Sequence, residues 1–110
     1  MRNSKVDIFR DMKKDNKKYM KAYVGDILLI EVCGSKRERL ARLCYSPIPN
    51  TSDLIVLGED VVFRVEADIN KIKVNDILTD TCDCGIKVQV LGICDVSIYI
   101  NKVKMYEGEE

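Results

Sequence analysis

Five cysteines, at positions 33, 44, 82, 84 and 94, are the side chains best equipped for chemistry in this sequence of 110 residues. Zinc takes four thiolate or imidazole ligands, usually from two knuckles of closely spaced cysteines, whereas here one Cys82-Asp83-Cys84 pair stands with three scattered singles. Cys33, Cys44 and Cys94 sit in apolar runs, where a free thiol behaves as a small hydrophobe, so core filling is the preferred reading over metal or redox chemistry. The 82 and 84 thiols stand apart, at what reads as an exposed hairpin tip, where they could pair between subunits under oxidising conditions, although a cytoplasmic setting would keep them reduced. Histidine is absent, which removes the side chain whose charge changes near neutral pH and, with it, every Ser-His or Cys-His nucleophile pair. The six glycines spell neither G-x-x-x-x-G-K-[ST] nor G-x-G-x-x-G, so no phosphate-cradling loop is written here. The expectation is a protein that is not an enzyme, with no catalytic residue, metal, cofactor or small-molecule substrate.

Charge is the second resource. Eighteen Lys and Arg offset eighteen Asp and Glu, which disfavours global attraction to a polyanion or an anionic membrane. The distribution is uneven, because residues 1–42 hold twelve basic and six acidic side chains and residues 43–110 hold six basic and twelve acidic. Two basic clusters stand out: Lys13, Lys14, Lys17 and Lys18, with Lys21 following, and Lys36, Arg37, Arg39 and Arg42. Either could be a solvated face or a phosphate contact, and the tyrosines nearby are too few for a stacking platform. Opposite-charge flanks let identical copies meet head to tail, and such contacts close into rings when the rotation permits. The candidate ring contacts are therefore Lys36, Arg37, Arg39 and Arg42 against Glu59, Asp60, Glu66 and Asp68, although the two halves could equally neutralise each other within one chain. No apolar run approaches the roughly 18–20 residues that span a bilayer, and the first eighteen residues lack a signal-peptide core, so a cytoplasmic protein with no membrane partner is expected.

Short strands must position these groups. Residues 5–12 fit a strand through Val6, Ile8 and Met12, and a helix through Ile8, Phe9 and Met12. Residues 1–23 read as a flexible basic arm or a hairpin. Ile27–Cys33 is an apolar, β-branched run entered through Gly25-Asp26 and closed by Gly34, the mark of a central strand. From Ser35 to Cys44, capping-box spacing suggests a short helix and an extended ribbon is the rival. Pro47 and Pro49 make residues 46–53 a loop, since neither has an N–H and each biases the residue before it toward extended backbone. Leu54–Leu57, Val61–Val65, a strand from Ile77, Ile86–Cys94 and Val96–Val103 read as further strands, with a tip at Thr81–Gly85 in which Gly85 supplies a positive φ. Glu107-Gly108-Glu109-Glu110 reads as a frayed acidic tail. One echo recurs fifty positions on: Val24-Gly25-Asp26-Ile27-Leu28 and Val74-Asn75-Asp76-Ile77-Leu78, for which a shared taste for turn residues is a simpler account than duplication. The sum is one mainly β domain over residues 1–110, a small β-barrel or compact sandwich of about five to seven short strands with at most one or two short helices.

Gly58–Val96 resembles the C-terminal half of the head-completion proteins of tailed bacteriophages, also called head-tail stoppers or head-closure proteins. In that family a strand, here Val61-Val62-Phe63-Arg64-Val65, precedes a V-G-D-I turn, here Val74-Asn75-Asp76-Ile77. A hairpin of Y-x-V-x-G-V pattern follows, here Ile86-Lys87-Val88-Gln89-Val90-Leu91-Gly92-Ile93. Asn75 stands where glycine is usual, and Ile86 to Val88 replaces the common Tyr-Val. The similarity covers about a third of the chain. It implies a structural virion protein of the head-tail connector or neck, assembled in the bacterial host cytoplasm. As a homo-oligomeric ring it would close the DNA channel and join the portal and adaptor to the tail. Two segments are candidates for the channel: Lys13, Lys14, Lys17 and Lys18, facing the lumen and packaged double-stranded DNA, or a plug loop of Ser46, Pro47, Ile48, Pro49, Asn50, Thr51 and Ser52. The lysines would gain charge-assisted contacts to phosphate, and the prolines would give a stiffer plug. The alternative is a monomeric barrel module that binds nucleic acid or a protein partner.

Overall fold

The computed structural model describes Val6, Phe9 and residues 21–108, with side chains as far as Met105. Six strands, β1 (Ile27–Val32), β2 (Glu38–Tyr45), β3 (Ser52–Val56), β4 (Val62–Val65), β5 (Ile77–Thr79) and β6 (Lys87–Cys94), are followed by one helix, α1 (Val96–Gly108). They form a single antiparallel sheet in the order β4-β3-β2-β1-β6-β5. Its two outermost strands then meet: Val65 bridges Asp80, Glu66 N donates to Thr79 O at 2.8 Å and Thr81 N donates to Arg64 O at 2.8 Å. The sheet is thus a nearly closed, barrel-like wall.

Period-two alternation assigns the faces. Leu28, Ile30, Ala41, Leu43, Leu54, Val56, Val65, Leu78, Val88 and Val90 fill the interior, with Ala22 and Ile72 from the connecting segments. Ile27, Leu29, Leu40 and Cys94 point outward and are covered by Phe9 and Tyr99, whose ring centroids lie 6.5 Å apart. β1 is therefore buried on both faces, which explains its unbroken apolar spelling. On β6 the register slips between Leu29 and Ile30, leaving Leu91 as an extra residue. This bulge lets Val88 and Val90 point inward before it and Ile93 after it.

The segment 35–45 resolves to strand. The Ser35 hydroxyl donates to Val32 O at 2.7 Å and accepts from Arg37 N at 3.3 Å, so it closes a β-turn and caps no helix. Five expectations need correction. Val96–Val103 is helical, because Asp95 Oδ1 accepts from Ser97 N at 2.8 Å and Ile98 N at 3.3 Å, as an N-cap does. Its buried face is Val96, Tyr99 and Val103, at helical spacing, whereas Ile98 and Ile100 of the apparent alternation are exposed. Glu107 and Gly108 of the expected frayed tail belong to this helix, and Glu109 and Glu110 lie outside the described residues. Ser52 of the expected loop is the first residue of β3, buried, with its hydroxyl donating to Ala67 O at 2.7 Å. Gly85 lacks a positive φ, because Asp83 closes the tip through Gly85 N to Oδ1 at 2.9 Å and Ile86 N to its carbonyl at 2.9 Å. Cys33 lies just past the end of β1 and is exposed, so it fills no core. Val6 and Phe9 are helical, and Lys13, Lys14, Lys17 and Lys18 lie outside the described residues.

The sequence echo is an echo of structure. Tyr23 N donates to Asp26 Oδ2 at 2.8 Å and Lys73 N to Asp76 Oδ2 at 2.9 Å. Asp26 N and Asp76 N close their turns onto Tyr23 O and Lys73 O at 3.0 and 3.2 Å. Gly25 N and Asn75 N, at φ 93° and 76°, each donate at 2.7 Å, to Leu43 O and Val90 O. Leu43 N and Val90 N return the bond to Asp26 O and Asp76 O at 3.0 and 2.9 Å. One turn thus launches β1 beside β2 and β5 beside β6, and Ala22 N ties the two approaches together through Ile72 O at 2.8 Å.

Two substitutions separate backbone strain from packing. Gly25→Ala brings its Cβ no nearer than 3.8 Å to Arg42 Nη2, so its expected loss of about 1–3 kcal/mol comes from the positive φ alone. Leu43→Ala opens a void in the interior and should cost about 2–5 kcal/mol. Urea unfolding reads both, and a Gly25→Ala midpoint equal to wild type would contradict the left-handed turn.

Candidate functional site

The described residues present three surfaces where chemistry or contact concentrates. The first is the end of the barrel where the β1–β2 and β3–β4 turns meet. Arg37 Nη2 lies 3.5 Å from Glu59 Oε2, and Arg39 Nε lies 3.8 Å from the same oxygen. The proposed basic and acidic partners are in this case joined within one chain. Arg37 is largely exposed, so its pair contributes well under about 1 kcal/mol. Of the rest, Lys36 is exposed at φ 57° and Asp60 and Glu66 are exposed. Asp68 Oδ1 accepts from Asn70 N at 2.8 Å and so shapes the β4–β5 connection. Arg42 lies apart from this cluster, on the outer wall.

The second surface is the Ser46–Thr51 loop, which carries its own bonding. Ile48 N donates to Ser46 Oγ at 3.2 Å, and the Thr51 hydroxyl lies 2.7 Å from both Ser46 Oγ and Ile48 O. The Thr51 proton serves the carbonyl while the Ser46 proton serves Thr51 Oγ1. Asn50 sits at φ 63° and Thr51 N donates to Ile48 O at 3.3 Å. Pro47 and Pro49 restrict the same segment, so the loop is a preformed projection bearing the exposed side chain of Ile48, next to the exposed Tyr45 at the end of β2.

The third surface is the outer wall of β2, β3 and β4, which α1 leaves bare. Register places Arg42, Ile55 and Val62 in one cross-strand row and Cys44, Asp53 and Arg64 in the next. Ile55 and Val62 are 40% and 54% exposed, unusual for strand residues flanked by covered neighbours. Beside them, Arg64 grips Asp53 with Nε to Oδ1 at 2.8 Å and Nη2 to Oδ2 at 3.1 Å, a two-pronged pair that fixes the polar rim of the patch. The sequence gives a signal for this row in the parity of Ser52–Val56, where Leu54 and Val56 share one face and Asp53 and Ile55 the other. Reading the run from Leu54 as wholly apolar conceals it.

Electrostatics identify two quiet groups. Burial pushes the Cys94 thiol up to about 12, helped by the nearby Asp95 and Asp26 carboxylates, so it stays protonated and inert. Burial also raises the Asp26 carboxyl, against the lowering effect of the Tyr23 N–H and with a further push from Asp95. Among the described residues no three His, Cys, Asp or Glu side chains form a group that could hold a metal ion. No helix among them is long and apolar enough to cross a membrane. No protein-family model, curated protein or solved structure matches the chain.

A carboxyl whose pKa is higher folded than unfolded binds its proton more tightly in the native state. Its contribution to stability is therefore fully present below the unfolded value and is lost as pH rises through the folded one. Asp26→Asn keeps an amide oxygen for Tyr23 N and removes the buried charge. It should melt higher than wild type at pH 7, with the gap narrowing as pH falls toward the ordinary carboxylate range. A gap that is constant with pH in thermal unfolding would show that burial exerts no such penalty.

Proposed function

We propose that the protein is a structural, non-enzymatic connector: a small barrel that self-associates into a ring at the head-tail junction of a tailed bacteriophage. There it would close the DNA channel and join the portal and adaptor on one side to the tail on the other. The observation that carries this reading is the bare outer wall, where Arg42, Ile55 and Val62 follow one another across β2, β3 and β4, beyond the part of the barrel that α1 covers. An apolar strip rimmed by charge is what a contact between copies uses, since burying it supplies the driving force and the rim sets the register. Support also comes from where the resembling segments fall. Val62–Val65 is a strand, Val74–Ile77 is the turn that launches β5, and Ile86–Ile93 enters and follows β6.

Charge contributes less to the ring than the amounts in the two halves suggest, because Glu59 already engages Arg37 and Arg39 in its own chain. The same observation favours a second reading, a monomeric barrel module that binds nucleic acid or a protein partner through its loops. In the connector reading the rigid Ser46–Thr51 projection is the plug, with Ile48 exposed on it and Tyr45 exposed beside it.

Light scattering on the purified chain at low and high salt, alone and with assembled phage heads, distinguishes the two. A ring-sized particle or recruitment onto heads is expected, and Ile55→Asp with Val62→Asp should reduce it to a single-chain mass while the circular dichroism spectrum is kept. A single-chain mass at every salt, with no recruitment by heads, would overturn the connector and leave the monomeric module.

A further inference from the structure

The tip between β5 and β6 presents two thiols separated by one residue. Cys82 and Cys84 are both free and exposed, and the turn does not depend on either. Asp83 between them closes it, with Oδ1 accepting from Gly85 N and its carbonyl from Ile86 N, both at 2.9 Å. Two residues of chain span at most about 7 Å, and less in a turn, which brings the two Cα atoms to the separation of about 4.4–6.8 Å that a disulfide requires. No third metal-ligating side chain joins them among the described residues, so the arrangement is a dithiol and lacks the four ligands of a structural zinc site. The tip is also stitched to β4, where Thr81 N donates to Arg64 O at 2.8 Å. The other cysteines supply the contrast: Cys94 is buried, Cys44 is half-buried, and Cys33 is exposed on a separate turn.

We propose that Cys82 and Cys84 form a redox-responsive dithiol that closes to an intrachain disulfide by exchange with a small-molecule disulfide. One tip thiol gives its proton to solvent and attacks one sulfur of the reagent; the reagent's S–S bond breaks, a mixed disulfide forms on that cysteine, and the released thiolate takes up a proton. The second tip thiol then gives its proton to solvent and attacks the first cysteine's sulfur, forming the Cys82–Cys84 bond and expelling the second thiolate, which is protonated in turn. The protein's two thiols are oxidised and the reagent's disulfide is reduced to two thiols. A bridge across a single intervening residue closes a small, strained ring, and strained disulfides are the readily reduced, responsive kind. The proposal is independent of the ring reading, since it concerns one chain.

The test uses the full chain, dilute, equilibrated in glutathione buffers of rising oxidised fraction, then alkylated and mapped by mass spectrometry. Two thiols per chain should be lost together, with Cys82 and Cys84 bridged in one peptide and Cys33 free. Phenylarsine oxide, which bridges close thiol pairs, should bind one-to-one to wild type and lose that binding in both Cys82→Ser and Cys84→Ser. A bridge from Cys33 to either tip cysteine, covalent dimers, single glutathione adducts on wild type without a bridge, or arsenical binding indifferent to both variants would overturn the proposal. Both side chains are exposed, so the serine variants keep the fold and remain informative.

Discussion

Double-sided burial of β1 is the constraint on which the rest of this protein hangs. Four successive side chains, Ile27 to Ile30, go alternately into the barrel and under the helical cover, each contributing about 1.5–3 kcal/mol on transfer from water. The strand consequently has no solvent face and must lie mid-sheet, between β2 and β6. Everything outside it is arranged in pairs: hairpins that complete the wall, and α1 with Phe9 covering the side that would otherwise expose Ile27 and Leu29. Beyond Leu40 and its neighbour Leu57, which pack under the cover, the row of Arg42, Ile55 and Val62 on β2, β3 and β4 is exposed.

Much of this wall is legible in the amino-acid order because its strands obey the period of two. Ile27–Cys33, Val61–Val65, the strand from Ile77 and Ile86–Cys94 read correctly to within a residue or two, and the barrel class follows from their number and spacing. The exceptions share a cause, namely that local pattern admits two periods and a distant partner decides. Val96, Ile98 and Ile100 alternate as a strand would, but Asp95 caps a helix and Tyr99, which alternation assigns outward, packs on Phe9. Ser35 and Glu38 have helix-cap spacing, yet pairing of β2 with both β1 and β3 draws the segment into the sheet. The Leu91 bulge that keeps both halves of β6 facing the core is marked in the sequence only by Gly92 beside it and by the break in alternation between Val90 and Ile93. The candidate surfaces were partly visible: the proline loop and the two tip cysteines are sequence features, whereas the exposed row of Arg42, Ile55 and Val62 exists only once three strands are in register.

The repeated turn shows how economical the construction is. Asp26 and Asp76 each use one carboxylate oxygen to hold the backbone three residues earlier, and the residue before each carries the positive φ. Glycine at one site and asparagine at the other satisfy the same torsional demand, since asparagine is the side chain that best tolerates the left-handed region after glycine. The two sites differ in surroundings: Asp26 is buried beside Asp95 and Cys94, whereas Asp76 is half-buried.

The joining of β4 to β5 through Val65 and Asp80 governs how copies of this chain can meet. A sheet with two loose outer strands invites another chain to extend it by backbone hydrogen bonding, a growth without natural limit that leads to fibres. Here those two strands are spent on each other, and neither offers a long unpaired ladder. Any contact between copies would then fall to side chains standing on the wall, where shape and charge select the orientation. Such a contact could be undone without dismantling the barrel, which would leave association and folding as separable events.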